Sequence, residues 1–295
     1  MKKPIFTGVA TAIVTPFIKD KVDYDSFATL IEWQIQSGIN AIVVAGTTGE
    51  SPTLSDSEHK KIIEFCVEKV NGRIPVIAGT GSNNTAHAIM LTKYACKVGA
   101  DAILLVCPYY NKPTQQGLLS SYTKIASAST KPCILYNIPS RTGCNILPET
   151  IVKLSKHHNI VAIKEASGNI SQITKLASLV KNKIDIYSGN DDQILPILSL
   201  GGKGVISVLS NILPKQTINI CKLFFEGKIE ESRKLQLKYL PLINALFCET
   251  NPIPIKTALA KMGYCKNYLR LPLVKMQKEN AKKLFDLMKK ENLID

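Results

Sequence analysis

Ile160-Val-Ala-Ile-Lys164-Glu-Ala-Ser-Gly168 holds the pattern that decides the fold: an apolar, β-branched run that ends on a lysine and passes into a short polar stretch. Such a run reads as a buried strand, here Val161–Lys164, whose far end meets a loop. The same unit recurs on both sides of it every 25 to 30 residues or so. Strands are predicted at Val9–Thr15, Ala41–Ala45, Pro75–Ala78, Ala102–Val106, Cys133–Asn137, Asp185–Ser188 and Gly204–Val208. Between them lie amphipathic, helix-period patterns near 24–37, 56–70, 84–98, 115–128, 148–156, 170–181, 191–199 and 214–226. Eight strands, each followed by a helix, predict an α/β protein of the closed (β/α)8 TIM-barrel type, a fold of about 250 residues, assigned to 1–226. An open doubly wound sheet is the alternative and usually has fewer strands. Only helix-like segments follow, near 229–247, 252–263 and 276–291, and these are assigned to a C-terminal helical extension over 227–295.

Composition excludes several classes. The 295 residues suffice for one large core with a small appendage. No signal-peptide pattern opens the chain, and no apolar run approaches the ~18 residues of a membrane span, so a cytoplasmic chain with no membrane partner is expected. Its eight cysteines are scattered with no C-x-x-C pair, as in a reduced protein without a disulfide frame or zinc site. The formal charge of +14 is nearly all lysine, the arginines being Arg73, Arg141, Arg233 and Arg270. A nucleic-acid binder would cluster its basic residues with arginine and interleaved aromatics. Here the lysines are spread along helices, which predicts a solvated basic surface with some attraction for anionic substrates and no nucleic-acid partner.

In a (β/α)8 barrel the chemistry sits at the carboxyl ends of the strands. Polar residues collect there: Gly46-Thr-Thr-Gly-Glu-Ser51 after strand two, Gly79-Thr-Gly-Ser-Asn83 after strand three, Pro108-Tyr-Tyr-Asn111 after strand four. Strand five runs into Tyr136-Asn-Ile-Pro-Ser-Arg-Thr-Gly143, strand six ends at Lys164, and strand seven runs into Ser188-Gly-Asn-Asp191. Period-two alternation puts Ile134 and Tyr136 on one face of strand five, and Ala162 and Lys164 on one face of strand six. If both faces point inward, the phenol and the amine meet at the barrel mouth, and the small Ala162 leaves room for the lysine stem. Burial disfavours the ammonium form of a lysine and frees the amine to form an imine with a carbonyl. The alternative for Lys164 is a strand-terminal lysine that snorkels to water. Glycines beside Thr47 and Thr48 let backbone amides approach a carboxylate, and Arg141 can grip a second one in a fork that lysine would not reproduce. Singly, Thr47 reads equally as a turn residue and Arg141 as a surface ion-pair partner. Together on consecutive strand ends they suggest a Schiff-base lyase or aldolase acting on 2-oxo acids.

At these residues the chain resembles the dihydrodipicolinate synthase family within the pyruvate-dependent aldolases. The resemblance runs from about Thr7 to Leu273 and includes Gly201-Gly-Lys-Gly-Val-Ile-Ser207 and Asn251-Pro-Ile-Pro254. Ser140-Arg141-Thr142 is its more specific signal, since N-acetylneuraminate-cleaving relatives do not normally carry that arginine. The resemblance implies that Lys164 forms the imine with pyruvate and that Thr47 and Thr48 receive its carboxylate. It implies that Tyr136 relays protons with Thr47 and with Tyr110 of a neighbouring subunit, and that Arg141 binds the carboxylate of aspartate 4-semialdehyde. Gly189 and the carbonyl of Ile206 would line the same pocket. No metal or other cofactor is called for, because the iminium serves as electron sink. The usual assembly in the family is a homotetramer of two tight dimers. Another Schiff-base aldolase for a sugar acid, or a barrel that binds pyruvate-like ligands without turnover, are the competing readings.

Lysine-inhibited members carry an acidic residue shortly after the Gly-Thr-Gly loop, where this chain has His87, behind the N-cap candidates Asn83 and Asn84. Asp56 and Pro52 depart from the pattern as well, whereas Ser51, His59, Asn83 and Tyr109 match that inhibitor site. Weak or absent feedback inhibition by lysine is therefore expected. Three other signals carry less. Gly201–Gly204 precedes strand eight, so it reads as a helix-to-strand turn at the face away from the chemistry. His157 and His158 read as a helix cap, and Trp33 as packing.

Overall fold

The computed structural model describes residues 3–181 and 183–295. The strands are β1 (Gly8–Ala12), β2 (Phe17–Ile18), β3 (Lys21–Val22), β4 (Ala41–Val44), β5 (Val76–Gly79), β6 (Ala102–Val106), β7 (Cys133–Asn137), β8 (Ile160–Glu165), β9 (Asp185–Ser188) and β10 (Gly204–Ser207). All except the β2–β3 hairpin join in one parallel sheet, which closes where β10 pairs with β1. The helices are α1 (Tyr24–Gln36), α2 (Asp56–Val70), α3 (Thr85–Lys97), α4 (Gln115–Ser127), α5 (Pro139–Thr142), α6 (Pro148–Leu154), α7 (Ile170–Val180), α8 (Ile194–Ser199) and α9 (Pro214–Phe225). Three more follow the barrel: α10 (Ile229–Ala245), α11 (Ile253–Lys261) and α12 (Lys278–Lys290).

The predicted (β/α)8 barrel is therefore the observed fold. Its apolar residues divide between two shells, as period-two alternation demands. Val43, Ile77, Leu104, Ile134, Ala162 and Ile206 fill the inside of the barrel. Ile42, Val44, Leu105, Leu135 and Ile163 face outward against the helices. Side-chain caps open several helices: Ser55 and Glu58 make a reciprocal capping box on α2, and Asn84, Thr114 and Asn169 cap α3, α4 and α7.

Several boundaries move for local reasons. The first strand ends at Ala12 instead of Thr15, because Thr15 turns its hydroxyl onto the Gly49 carbonyl at 2.7 Å and Pro16 has no amide to donate. The second ends at Val44 because Ala45 takes a left-handed φ of 55°. That turn packs on Gly79, where a Cβ would lie 2.3 Å from the Ala45 carbonyl oxygen. The helix expected over 148–156 stops at Leu154, so His157 and His158 lie beyond it. His157 closes the helix through its backbone amide, which donates to the Leu154 carbonyl at 2.9 Å, while its ring stacks on that of His158 at 4.8 Å and its Nε2 lies 3.0 Å from the Ser127 hydroxyl. Gly201–Gly204 is the helix-to-strand turn expected, with Gly204 at φ 149° pressed so tightly on Gly8 that a Cβ would strike its carbonyl. Trp33 packs, stacked on Tyr264 at 4.3 Å.

The extension closes over one side of the barrel. α10 packs on α9, and α12 packs on α10 and α11. The stretch Asn251–Leu259 is buried at every position, Lys256 included.

Candidate active site

β7 and β8 bring the amine and phenol together. Tyr136 and Lys164 stand opposite each other in the register of the two strands, and the Lys164 Nζ lies 4.2 Å from the centroid of the Tyr136 ring. Lys164 is 5% exposed, so it is held inside and does not snorkel to water. Ala162 lies one inward position below it, in the same interior cluster as Tyr136. On the outward side the next pair in register, Asn137 and Glu165, is tied by Asn137 Nδ2 donating to the two carboxylate oxygens at 3.3 and 3.2 Å. Burial pushes the Glu165 carboxyl up, while hydrogen bonds from Ser167 and Asn137 pull against it. Gly189 closes over the lysine stem: a Cβ there would lie 3.0 Å from Lys164 Cε and 2.6 Å from Ala166 Cβ.

The turn after β4 comes to the same cavity. Thr47, Thr48, Tyr136, Arg141, Lys164 and Gly189 line it together. Arg141 reaches it from α5, a one-turn helix that sequence periodicity did not indicate; Pro139 starts it and Gly143, at φ 66°, ends it. Arg141 Nη2 donates to the Asn251 carbonyl at 2.9 Å, and Asn251 Nδ2 donates to Thr48 Oγ1 at 3.0 Å. Asn251 thus bridges the two groups expected to hold carboxylates. In the sequence Asn251 stands only as part of Asn-Pro-Ile-Pro, and a polar residue fixed before two prolines is the signal available there. Asn190, from the Ser188-Gly-Asn-Asp191 turn, also lines the cavity, and so do Phe247 and Val208, which were unforeseen.

The expectation for Ile206 concerns its carbonyl; its side chain packs in the barrel interior, and Val208, just past the end of β10, lines the cavity. Tyr110 is 88% exposed, at φ 73°, outside its own chain's cavity.

A neighbouring cavity of about 390 Å³ shares Thr47 and Arg141 and is lined by Ser51, His59, His87 and Tyr109. Asn83 stands at its edge, donating to the Tyr109 carbonyl at 3.2 Å. His59 Nε2 lies 2.7 Å from the Gly79 carbonyl, to which it donates, and burial holds its pKa below the ordinary value. The α3 N-cap is Asn84, and its side chain accepts from the His87 amide. His87 Nε2 donates to Asp56 Oδ1 at 2.9 Å, and this bond holds the exposed Asp56 carboxyl below the usual range.

Among the described residues no group of three or more His, Cys, Asp or Glu is placed to hold a metal ion, and no helix is long and apolar enough to cross a membrane.

A closed (β/α)8 barrel with a buried lysine at the carboxyl ends of its strands, faced by a phenol, belongs to a class of barrels able to carry imine chemistry on a lysine amine. The family within that class follows from three comparisons. The model of the dihydrodipicolinate synthetase family matches residues 5–291. The 4-hydroxy-tetrahydrodipicolinate synthase of Clostridium perfringens strain SM101 is 53% identical over 290 residues, covering 98% of this chain and all of its own. That of Acetivibrio thermocellus is 52% identical over 294 residues, with both chains covered in full. The crystal structure of dihydrodipicolinate synthase from Thermotoga maritima superposes with a TM-score of 0.97 at 45% identity, covering 99% of this chain and 100% of that one. The chain belongs to the dihydrodipicolinate synthetase family.

Proposed function

We propose that this chain is a Schiff-base lyase that condenses pyruvate with L-aspartate 4-semialdehyde to 4-hydroxy-tetrahydrodipicolinate, opening the diaminopimelate and lysine branch. The observation that carries the reading is the buried Lys164 amine, 4.2 Å from the Tyr136 ring centre, in one cavity with Thr47, Thr48 and Arg141. Lys164 Nζ attacks C2 of pyruvate and water leaves, giving the iminium. Loss of a proton from C3 gives the enamine, with the iminium nitrogen as electron sink, so the cycle needs no metal or cofactor. C3 then adds to the aldehyde carbon. Finally the amino nitrogen of the second substrate attacks C2, closes the six-membered ring and releases Lys164.

The other residues have complementary tasks. Backbone amides of the Thr47–Thr48 turn hold the pyruvate carboxylate, as successive amides in a turn hold anions. Tyr136 passes protons between the reacting centre and Thr47. Arg141 grips the carboxylate of the aldehyde substrate. Gly189 and the Ile206 carbonyl complete the walls. The exposed Tyr110 serves a neighbouring copy's site, in a homotetramer of two tight dimers. Within each chain 1–226 supplies the chemistry and 227–295 supports it. The protein works in the cytoplasm.

Arg141→Ala is the discriminating test. We expect KM for aspartate 4-semialdehyde to rise roughly 100-fold, while borohydride still traps pyruvate on Lys164 at wild-type concentrations. Wild type that fails to condense these substrates but cleaves N-acetylneuraminate would keep the imine chemistry and overturn the substrate assignment. Silence on both substrates would favour a ligand-binding barrel without turnover.

A further inference from the structure

Glu50 lies in the turn that carries Thr47 and Thr48, yet its side chain points away from the cavity and is 2% exposed. It meets Lys256 of α11, which is wholly buried. The Lys256 ammonium donates to Glu50 Oε1 and, at 3.0 Å, to the Tyr268 carbonyl. Its Nζ also stands 4.1 Å from the centre of the Phe17 ring. The other carboxylate oxygen, Oε2, accepts from the Arg270 backbone amide at 3.1 Å. Both oxygens of Glu50 are thus held by the C-terminal extension.

The turn needs outside support. Ala45 and Glu50, at its two ends, have φ of 55° and 52°, a region that residues with a Cβ rarely adopt. Its own bonds are short-range backbone contacts such as Gly49 N–H to the Gly46 carbonyl and Glu50 N–H to the Thr47 carbonyl, both 3.1 Å. From the barrel, Thr15 adds one hydroxyl bond to Gly49. From the extension come two anchors on one segment, Asn251 on Thr48 and Lys256 on Glu50.

We propose that the Lys256–Glu50 pair is a strut that sets the conformation of the Thr47–Thr48 turn, making both members positioning residues for the pyruvate carboxylate. A buried ion pair adds little net stability compared with apolar packing, so the role of this one is read from the geometry it holds. The strut rests on the reading above that this turn receives that carboxylate.

The test measures the concentration at which borohydride traps half the chain on Lys164, read by intact mass. Two ketones are used: pyruvate and pyruvamide, its uncharged isostere. Wild type should need about 100-fold more pyruvamide than pyruvate, the discrimination expected of a built anion site. Glu50→Gln keeps the shape and removes the charge. It should need about tenfold more pyruvate, with its pyruvamide curve within about twofold of wild type. Lys256→Met should behave likewise; should it fail to fold, Glu50→Gln decides alone. A merely structural weakening would shift both curves together, and either that result or two unchanged curves overturns the strut. If wild type itself does not discriminate, the carboxylate assignment fails first and takes the strut with it.

Discussion

Lys164 and Lys256 are both lysines removed from water, 5% and 0% exposed, and both place Nζ against an aromatic face, 4.2 Å from the centre of the Tyr136 ring and 4.1 Å from that of Phe17. Their surroundings otherwise differ. Lys256 has a carboxylate and a carbonyl on its nitrogen; burial pulls its pKa below the ordinary lysine value while Glu50 pulls it back up. Among the described residues, no carboxylate stands within ion-pair distance of Lys164. Burial alone therefore does not make a lysine a nucleophile. The nitrogen must also be left without a fixed acid partner, at a place a substrate can enter, and the mouth of the barrel meets both conditions where the floor of the extension meets neither.

Removing each amine breaks the comparison in opposite ways. Lys164→Met should lower condensation by about 10⁴-fold or more and abolish borohydride trapping with pyruvate, since the covalent route disappears. Its melting temperature should stay at or above that of wild type, because no ion pair is lost. Lys256→Met should instead destabilise the fold by about 3–5 kcal/mol, the usual result of leaving one member of a buried pair alone. Where that variant is still folded it should trap pyruvate. Thermal unfolding and trapping on the two variants check both halves; a Lys256→Met chain that melts like wild type would mean the pair is not holding the extension down.

The cavity beside the active site offers a milder contrast, because its charges are already matched. An ammonium ligand would need a free carboxylate there, and Asp56 is engaged by His87 at 2.9 Å. Lysine at about 1 mM, the level at which about 4 kcal/mol of binding half-saturates a site, should leave the condensation rate unchanged. Inhibition below that concentration, measured at subsaturating pyruvate, would show that the pair opens to admit the ligand.

These contrasts also mark what could be read from sequence. Lys164 and Tyr136 were placed correctly because a strand's alternation is local: once Ile134 and Ala162 point inward, the residues two further on must follow. Lys256 left a local trace too, as a lone charge among Ile253, Ile255, Ala258 and Leu259 on a helix with no polar face. Its partner could not be found that way, because Glu50 is 206 residues distant and no spacing rule connects a barrel turn to an appended helix. The α5 helix under Arg141 was hidden for a different reason. Four residues are too short for periodicity, and its only signals are the proline that starts it and the glycine that ends it. Resemblance pointed to the Ile206 carbonyl and not to its side chain, which strand alternation sends into the barrel interior, while Val208 lines the mouth.

The smallest effect concerns the rim of the same extension. Arg270 forks onto Glu58 of α2, with Nη1 2.7 Å from Oε2, and also bonds Asp20 of the hairpin through Nε at 3.0 Å. This contact, with help from Ser55, holds the Glu58 pKa down at about 2, against an ordinary 4.5. A carboxylate whose pKa is depressed on folding contributes stability above its unfolded pKa and loses it as pH falls through the folded one. Glu58 should therefore support the fold fully above pH 4.5 and progressively less down to about pH 2. Because the pair is partly solvated, its contribution is modest and salt-sensitive. Wild type should melt above Glu58→Gln at pH 6, and the gap should shrink as pH drops through that window and as salt is added. The pyruvate trapping curve at neutral pH should be the same for both, since Glu58 touches neither the threonine turn nor Lys164. A gap that persists to acid pH would mean the glutamate acts through shape, as a helix cap at Ser55, more than through its charge on Arg270.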